Sequence, residues 1–383
     1  MYKSQALGIV LILIVVLILL FVFVYPRYTS ISKPSKPSNA YAFLISNNYN
    51  NNISMIDPSN GAVVKNFSAH TGALPVATAV SPDGTEIAIS YHEGNTLNGY
   101  ISLIYTNNDS VKTMALPQGI ASICFIDYFC QQNLAFSNNG KLLYIANIAN
   151  PAGMLAVLDI SSGIFSNITL SYSIYGAQFA NSADGISVSP GGKFAYVMER
   201  QGLVLKINTS NNNVIGHVYI NGGPLSISGA QTTIDDIAFS PNGAYAYVMS
   251  QGASNNGSIA VVNTSNDAVI NNMEVAQNPG YMSISGDGKI GYLIYTPSSL
   301  SAPSSDYISV INLSTMTLLK TITLNEAPTS SAIYNNILYV TANTPNGISS
   351  LYNINATSYS LINVNKIDSG TFVDSVLIAN STI

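Results

Sequence analysis

The 383-residue chain contains no tryptophan, 2 cysteines, 3 histidines and 2 arginines, and its charged residues make up 8% of the total. Each shortage excludes something. His70, His92 and His217 fall in different parts of the sequence without HxxxH or alternate-residue spacing. A zinc or copper enzyme would need more ligands than these. No G-x-S-x-G, P-loop or H-E-x-x-H occurs. Lysine and arginine number 13 against 18 acids, and Lys3, Arg27, Lys33 and Lys36 all precede residue 39. The remainder therefore carries 9 − 18 = −9 and has no basic surface for phosphates, which excludes nucleic acid as a partner. The polarity that remains is uncharged, with 43 asparagines and 24 tyrosines. Such a chain lacks the charge that drives disorder.

Long apolar runs are also absent, except one. Residues 6–25 read ALGIVLILIVVLILLFVFVY, without a charge. Twenty helical residues span about 30 Å, the hydrocarbon thickness of a bilayer. A cleaved signal would have a shorter apolar core and a small-residue cleavage site. Phe23-Val24-Tyr25-Pro26-Arg27 offers none, so the run reads as an uncleaved transmembrane anchor. Flanking charge alone slightly favours the C-terminal side inside. The character of residues 39–383 favours the reverse: residues 1–5 as a short cytoplasmic tail and the rest outside the cell membrane. Residues 26–38, PRYTSISKPSKPS, read as a semi-extended linker.

Residues 39–383 repeat. A β-branched strand ends in serine, a glycine turn comes next, and a second strand begins. The copies include VATAVSPDGTEIAIS (76–90), NLAFSNNGKLLYIAN (133–147), GISVSPGGKFAYVME (185–199), IDDIAFSPNGAYAYVMS (234–250) and YMSISGDGKIGYLIY (281–295). Their glycines are Gly84, Gly140, Gly192, Gly243 and Gly288. Glycine suits a tight turn that demands positive φ. A second signature comes after each copy: a strand ending in Asp or Asn, a Ser/Thr-rich turn, and another strand, as in LAVLDISSGIF (155–165) and IAVVNTSNDAVI (259–270). An Asx side chain can bond backbone two residues on, which accounts for its recurrence. Four short strands per unit of about 40–50 residues mark a β-propeller. Counting units predicts seven blades. Blade one begins with three strands, so the segment FVDSVLIANSTI (372–383) is expected to supply its inner strand and close the ring.

These copies resemble the YVTN-type β-propeller repeat, on SPDG at 81–84, LYIAN at 143–147 and LYVTAN at 338–343. The resemblance covers nearly all of 41–383. It implies an all-β propeller of the kind found in archaeal surface-layer and bacterial extracytoplasmic proteins, displayed on the cell surface. It implies no shared catalytic motif.

Candidate functional residues come from aligning the inner strands on the repeat serine. Asp184 and Asp235 fall five residues before it, Asp236 four before, and Asp374 begins the closing strand. With Gln132 and Asn133 they would form an acidic, oxygen-lined channel mouth for a ligand. Calcium is the cation that such oxygens would take. The plainer reading is carboxylates that are solvated or bonded to backbone amides. Cys124 and Cys130 lie in the insertion 117–132. They read as a disulfide stapling it, with two buried thiols as the other reading. Arg200 beside Glu199 reads as a surface pair. Ten sequons, Asn52, Asn66, Asn108, Asn167, Asn208, Asn256, Asn263, Asn312, Asn355 and Asn380, are glycosylation candidates. Asn208, Asn263 and Asn312 are equally explained as turn formers. Two functions remain open: a non-catalytic surface protein that binds extracellular protein or glycan partners, and a lactonase-like hydrolase working at the channel mouth.

Overall fold

The structure is a computed structural model. It describes residues 39–46, 52–68, 73–92, 99–117, 133–146, 154–170, 172–174, 177–179, 183–199, 202–220, 233–252, 257–295, 306–344, 348–367 and 373–381. The chain divides into a unit of residues 1–39 and a unit of residues 40–383. The anchor at 6–25 and the linker at 26–38 lie outside the described residues. Among those residues, no helix is long and apolar enough to cross a membrane.

The second unit is a seven-bladed β-propeller. Blade one contributes β1 (Asn39–Ser46), β2 (Asn52–Ile56) and β3 (Val63–Ser68). Blade two is β4 (Leu74–Val80), β5 (Glu86–His92), β6 (Gly99–Tyr105) and β7 (Ser110–Ala115). Blade three is β8 (Leu134–Phe136), β9 (Leu142–Ile145), β10 (Met154–Asp159) and β11 (Phe165–Thr169). A two-stranded pair that the repeat pattern does not predict, β12 (Tyr172–Ile174) and β13 (Ala177–Phe179), precedes blade four. Blade four is β14 (Ala183–Val188), β15 (Phe194–Glu199), β16 (Leu203–Asn208) and β17 (Asn213–Tyr219). Blade five is β18 (Thr233–Phe239), β19 (Tyr245–Gln251), β20 (Gly257–Asn263) and β21 (Ala268–Val275). Blade six is β22 (Pro279–Ile284), β23 (Ile290–Tyr295), β24 (Tyr307–Asn312) and β25 (Thr317–Thr323). Blade seven is β26 (Ala327–Tyr334), β27 (Ile337–Asn343), β28 (Ser349–Asn355) and β29 (Leu361–Ile367). Last comes β30 (Val373–Ser381), which lies beside β1 as the inner strand of blade one. The inner strands touch in a closed circuit: β30, β4, β8, β14, β18, β22, β26 and back to β30.

Consecutive strands within a blade are antiparallel. Inner strands therefore all start at one end of the ring, here the mouth end. The turns after the first and third strands fall at the other, here the turn end. The repeat serine explains the first of these turns. Its carbonyl accepts the glycine N–H, as Ser81 does from Gly84 at 2.9 Å. Its hydroxyl donates to the Asx two residues on and accepts an amide five residues on, as in Ser81 Oγ to Asp83 at 2.7 Å and Glu86 N to Ser81 Oγ at 2.9 Å. Ser137, Ser240 and Ser285 repeat this pattern. The glycine φ at Gly84 is 74°, a region that other residues enter at a cost.

The core is not one mass. Seven apolar clusters lie one per seam between neighbouring blades, such as Tyr196, Val204, Val248 and Val262 between blades four and five. Alternating strand residues send each face of a blade into a different seam. The fourth strands stay at the perimeter and are largely exposed, with Leu318 at 54% and Leu361 at 54%. A lysine on each of β3, β7, β25 and β29 blunts these edges, a device against edge-to-edge pairing.

Ring closure rests on a polar clasp. Asn343, at the end of β27, accepts the Val373 N–H at 3.2 Å and donates to the Val373 carbonyl at 3.1 Å. Ser349 Oγ also accepts from Val373 N at 3.0 Å, and Thr329 Oγ1 donates to the Val373 carbonyl at 2.9 Å. The first residue of β30 is thus held on both backbone groups by blade seven. Further along, Ser375 Oγ lies 3.1 Å from Thr78 Oγ1 of blade two.

Candidate functional site at the channel mouth

Five of the inner strands enter the mouth through a β-bulge. The pairing shifts between Pro75 and Ala77 in β4, Ala183 and Gly185 in β14, and Ile234 and Asp236 in β18. It shifts again in β22 and between Pro328 and Ser330 in β26. A bulge adds one unpaired residue and re-aims the side chains beside it. Asp184 and Asp235 are those extra residues in blades four and five. The structure therefore gives them equivalent places, as the repeat alignment requires.

Asp236 leaves its bulge for the seam with blade six. It is 2% exposed. Its Oδ1 accepts the Ile237 N–H at 2.7 Å, and its Oδ2 accepts the Met282 N–H of β22 at 3.2 Å. Both oxygens thus hold backbone, one of them on the neighbouring blade. This is the plainer reading with a difference: the carboxyl bonds amides from inside a seam instead of a solvated rim. Burial pushes the Asp236 carboxyl up to about 7, against the two amide bonds that pull it down. Asp235 is pushed up to about 7 as well, first by burial and then by the Asp236 charge beside it. Its Oδ2 is buried with no hydrogen-bond partner.

Asn133, four residues before Ser137, occupies the Asp236 position in blade three. It is fully buried, and neither its amide nitrogen nor its carbonyl oxygen has a partner. Gln132 lies outside the described residues. Asp374 is placed by its backbone as the second residue of β30, but its side chain is not among those described. Among the described residues, no three His, Cys, Asp or Glu side chains converge as metal ligands. Calcium takes six to eight oxygens, and the Asp236 oxygens are committed to amides. The described donor set does not fit a calcium cage.

The remaining candidates are scattered. Cys124, Cys130, His70 and Arg200 lie outside the described residues. Glu199 is 2% exposed at the end of β15, so it is a buried residue of the mouth end and not half of a surface pair. Among the sequons, Asn66 on β3 and Asn167 on β11 sit on exposed outer strands. Asn108, Asn208, Asn263, Asn312 and Asn355 each accept a turn N–H two residues on, as Ser265 N to Asn263 at 3.0 Å. The side chains of Asn52, Asn256 and Asn380 are not described.

One set of contacts escapes sequence reasoning. The third-to-fourth strand turn places a residue at positive φ four positions after the Asx: Asn212 at 59°, Asp267 at 57°, Met316 at 52° and Tyr359 at 56°. The repeat tyrosine of the preceding blade reaches toward it. Tyr196 donates to Asp267 Oδ1 at 2.6 Å, and Tyr144 to Asn212 at 3.5 Å. Lys206 adds an ion pair to Asp267 at 2.9 Å and a bond to the Thr264 carbonyl at 2.6 Å, lying over the Phe194 ring at 4.5 Å. The tyrosine recurrence is visible in sequence; its partner about 70 residues away is not.

No family model matches this chain, and no curated protein matches it. Solved structures do. A putative 6-phosphogluconolactonase from Bacteroides fragilis superposes with a TM-score of 0.63 at 14% identity, over 91% of this chain and 100% of that one. A functionally unknown protein from Desulfotomaculum acetoxidans gives 0.62 at 16%, over 89% and 99%. The dihydro-heme d1 dehydrogenase NirN in complex with DHE gives 0.56 at 12%, over 91% and 76%. Likeness at these identities is likeness of fold.

Proposed function

We propose that this propeller is a non-catalytic binding, adhesion or envelope protein, anchored by residues 6–25 and displayed outside the cell membrane. One observation carries the non-catalytic part. Asp236, a buried carboxyl of the mouth, spends both oxygens on backbone amides and joins two blades. The apolar run, the Pro/Ser linker and the resemblance to YVTN-type surface propellers support the location. Protease added to intact cells should digest the propeller; its survival until lysis would reverse the orientation. Deleting residues 1–25 should release the protein from membranes, and tight residual binding would require another anchor.

A lactonase-like hydrolase is the second reading. Asp235 favours it: a carboxyl held near pKa 7 with one unbonded oxygen is suited to general acid–base work. The fold shared with the putative 6-phosphogluconolactonase is consistent with it. Hydrolysis of glucono-δ-lactone by the protein, lost in Asp235→Asn, would establish this reading over the first. Background rates in both proteins would leave the binding reading standing.

A further inference from the structure

Several seams of the propeller are latched at the turn end, and the seam between blades five and six is not. Between blades four and five, Tyr196, Lys206 and Asp267 fill the space. Between blades six and seven, Tyr292 donates to the Ala356 carbonyl and packs against Tyr359 with ring centroids 6.3 Å apart. Between blades one and two, Lys65 pairs with Asp109 at 2.6 Å. The seam between blades five and six has the same frame with different residues. Val261 stands where Lys206 stands, and Met316 where Asp267 stands. Val261 offers no acceptor and Met316 a weak thioether one, and the Tyr247 hydroxyl has no hydrogen bond to a described residue. A cavity of about 490 Å³ opens there, within the size range of small-molecule sites.

The lining decides what would enter. Tyr245 is 39% exposed and presents a ring at the edge; Met316 adds a soft apolar surface. Tyr247 and Ser314 bring hydroxyls to the lining. Asn242 has its carbonyl oxygen taken by Ser240 Oγ and the Ala244 N–H, and Asn271 has its own taken by the Asn272 N–H. What each keeps for a ligand is its amide NH₂. No Lys, Arg or His lines the cavity, so an anion finds no counter-charge. The one acid in the lining, Asp287, holds its own turn through Oδ1, while its Oδ2 lies 3.8 Å from Lys289 Nζ. The fitting ligand is neutral, rich in hydroxyls, and has an apolar C–H face to lay on a tyrosine.

We infer that the blade five–six cavity at the turn end is a saccharide-binding site, sized for one or two sugar units. Tyr245 supplies the stacking face, while Tyr247, Ser314, Asn242 and Asn271 supply hydrogen bonds. This deepens the binding reading above by naming a ligand class and a place away from the channel mouth.

The test uses the full chain in detergent, with methyl glycosides of glucose, galactose, mannose and N-acetylglucosamine at millimolar concentration. The readout is saturation transfer from protein to sugar. Transfer to at least one glycoside is expected, reduced at least tenfold in Tyr245→Ala, whose site is exposed and tolerant of change. The double variant Val261→Lys/Met316→Asp rebuilds the latch of the neighbouring seam and should abolish transfer. Tyr292→Phe, in a latched seam, should leave it unchanged. Absence of transfer from all four glycosides, or equal transfer in wild type and Tyr245→Ala, would overturn the site. A second arm separates sources. Capture of glycosylated but not unglycosylated ribonuclease points to a protein-borne glycan; glycoside binding without capture points to a soluble saccharide. Both support the site. Protease protection and lactone hydrolysis are read separately, so failure of the surface-display reading is distinguishable from failure of this one.

Discussion

The two ends of the ring use the same residue type in opposite ways. At the turn end, the aspartates that cap their own turns are exposed and held low. Asp83 is lowered chiefly by its bond from Ser81, and Asp159 falls to about 2 through bonds from Ser161 and Ser162. At the mouth end, Asp235 and Asp236 are buried and raised to about 7. A carboxylate receiving several N–H and O–H bonds in water gains more for its charged form than it loses. One taken into a seam loses hydration that two amides do not replace. An Asx that caps its own turn is thus a local fastening, whereas Asp236 joins two blades at an electrostatic cost.

The sharpest break in this comparison is removal of β30. Without residues 372–383, blade one has three strands, and the clasp formed by Asn343, Ser349 and Thr329 has nothing to hold. Loss of a single cooperative melting transition is expected, with aggregation through newly exposed edges. Unchanged melting would mean that the ring does not depend on this closure. Next in size is Asn343→Ala, which strips both backbone groups of Val373 of a buried partner. A loss of about 3 kcal/mol is expected by urea unfolding.

The mouth pair should then show itself as pH dependence. Unfolded Asp titrates near 3.8, and folded Asp235 and Asp236 near 7. Between these values the folded protein holds protons that the unfolded chain has released. Stability therefore falls as pH rises from about 4 to about 7, and levels off above. The slope for each fully independent group would be on the order of 1 kcal/mol per pH unit. Asp235→Asn should flatten it, visible as a smaller change in Tm across that window. An equal slope in the variant would assign the protons elsewhere. The smallest effect belongs to the turn end. Asp83→Ala should cost about 0.5 kcal/mol at neutral pH, since its bonds are solvent-exposed. Its folded pKa is depressed, so this contribution vanishes as pH falls through the depressed value, opposite in direction to the mouth pair.

How much of this is legible in sequence depends on the distance over which each feature is set. The blade repeat is local. SPDG encodes a turn whose serine, Asx and glycine lie within four residues, and counting such units leads to the seven blades. The bulges are not local. Asp235 and Asp236 read as neighbouring entrance carboxylates, but the pairing of β18 with β19 makes one the extra residue and sends the other into the seam. Nothing near Asp236 announces that its partner is the N–H of Met282, 46 residues on. The latches fail for the same reason: Tyr196 and Asp267 are both visible, but only the ring brings them together. Asn133 reads as a mouth residue from its repeat position, and its full burial with unpaired amide atoms depends on how blade three packs.

The pairing of β30 with β1 also orders events during synthesis. At about 5–20 residues per second, β30 leaves the ribosome roughly 15–70 s after β1. Blades two to seven can pair their strands as they emerge, since each is contiguous in sequence. Blade one cannot, and its neighbours cannot bury their last seam against a finished sheet. Through that interval β1 keeps an open edge next to a growing array, a template for mispairing until β30 arrives. Closure then acts as an inspection of the chain: a product interrupted before Val373 has most of its blades and no ring.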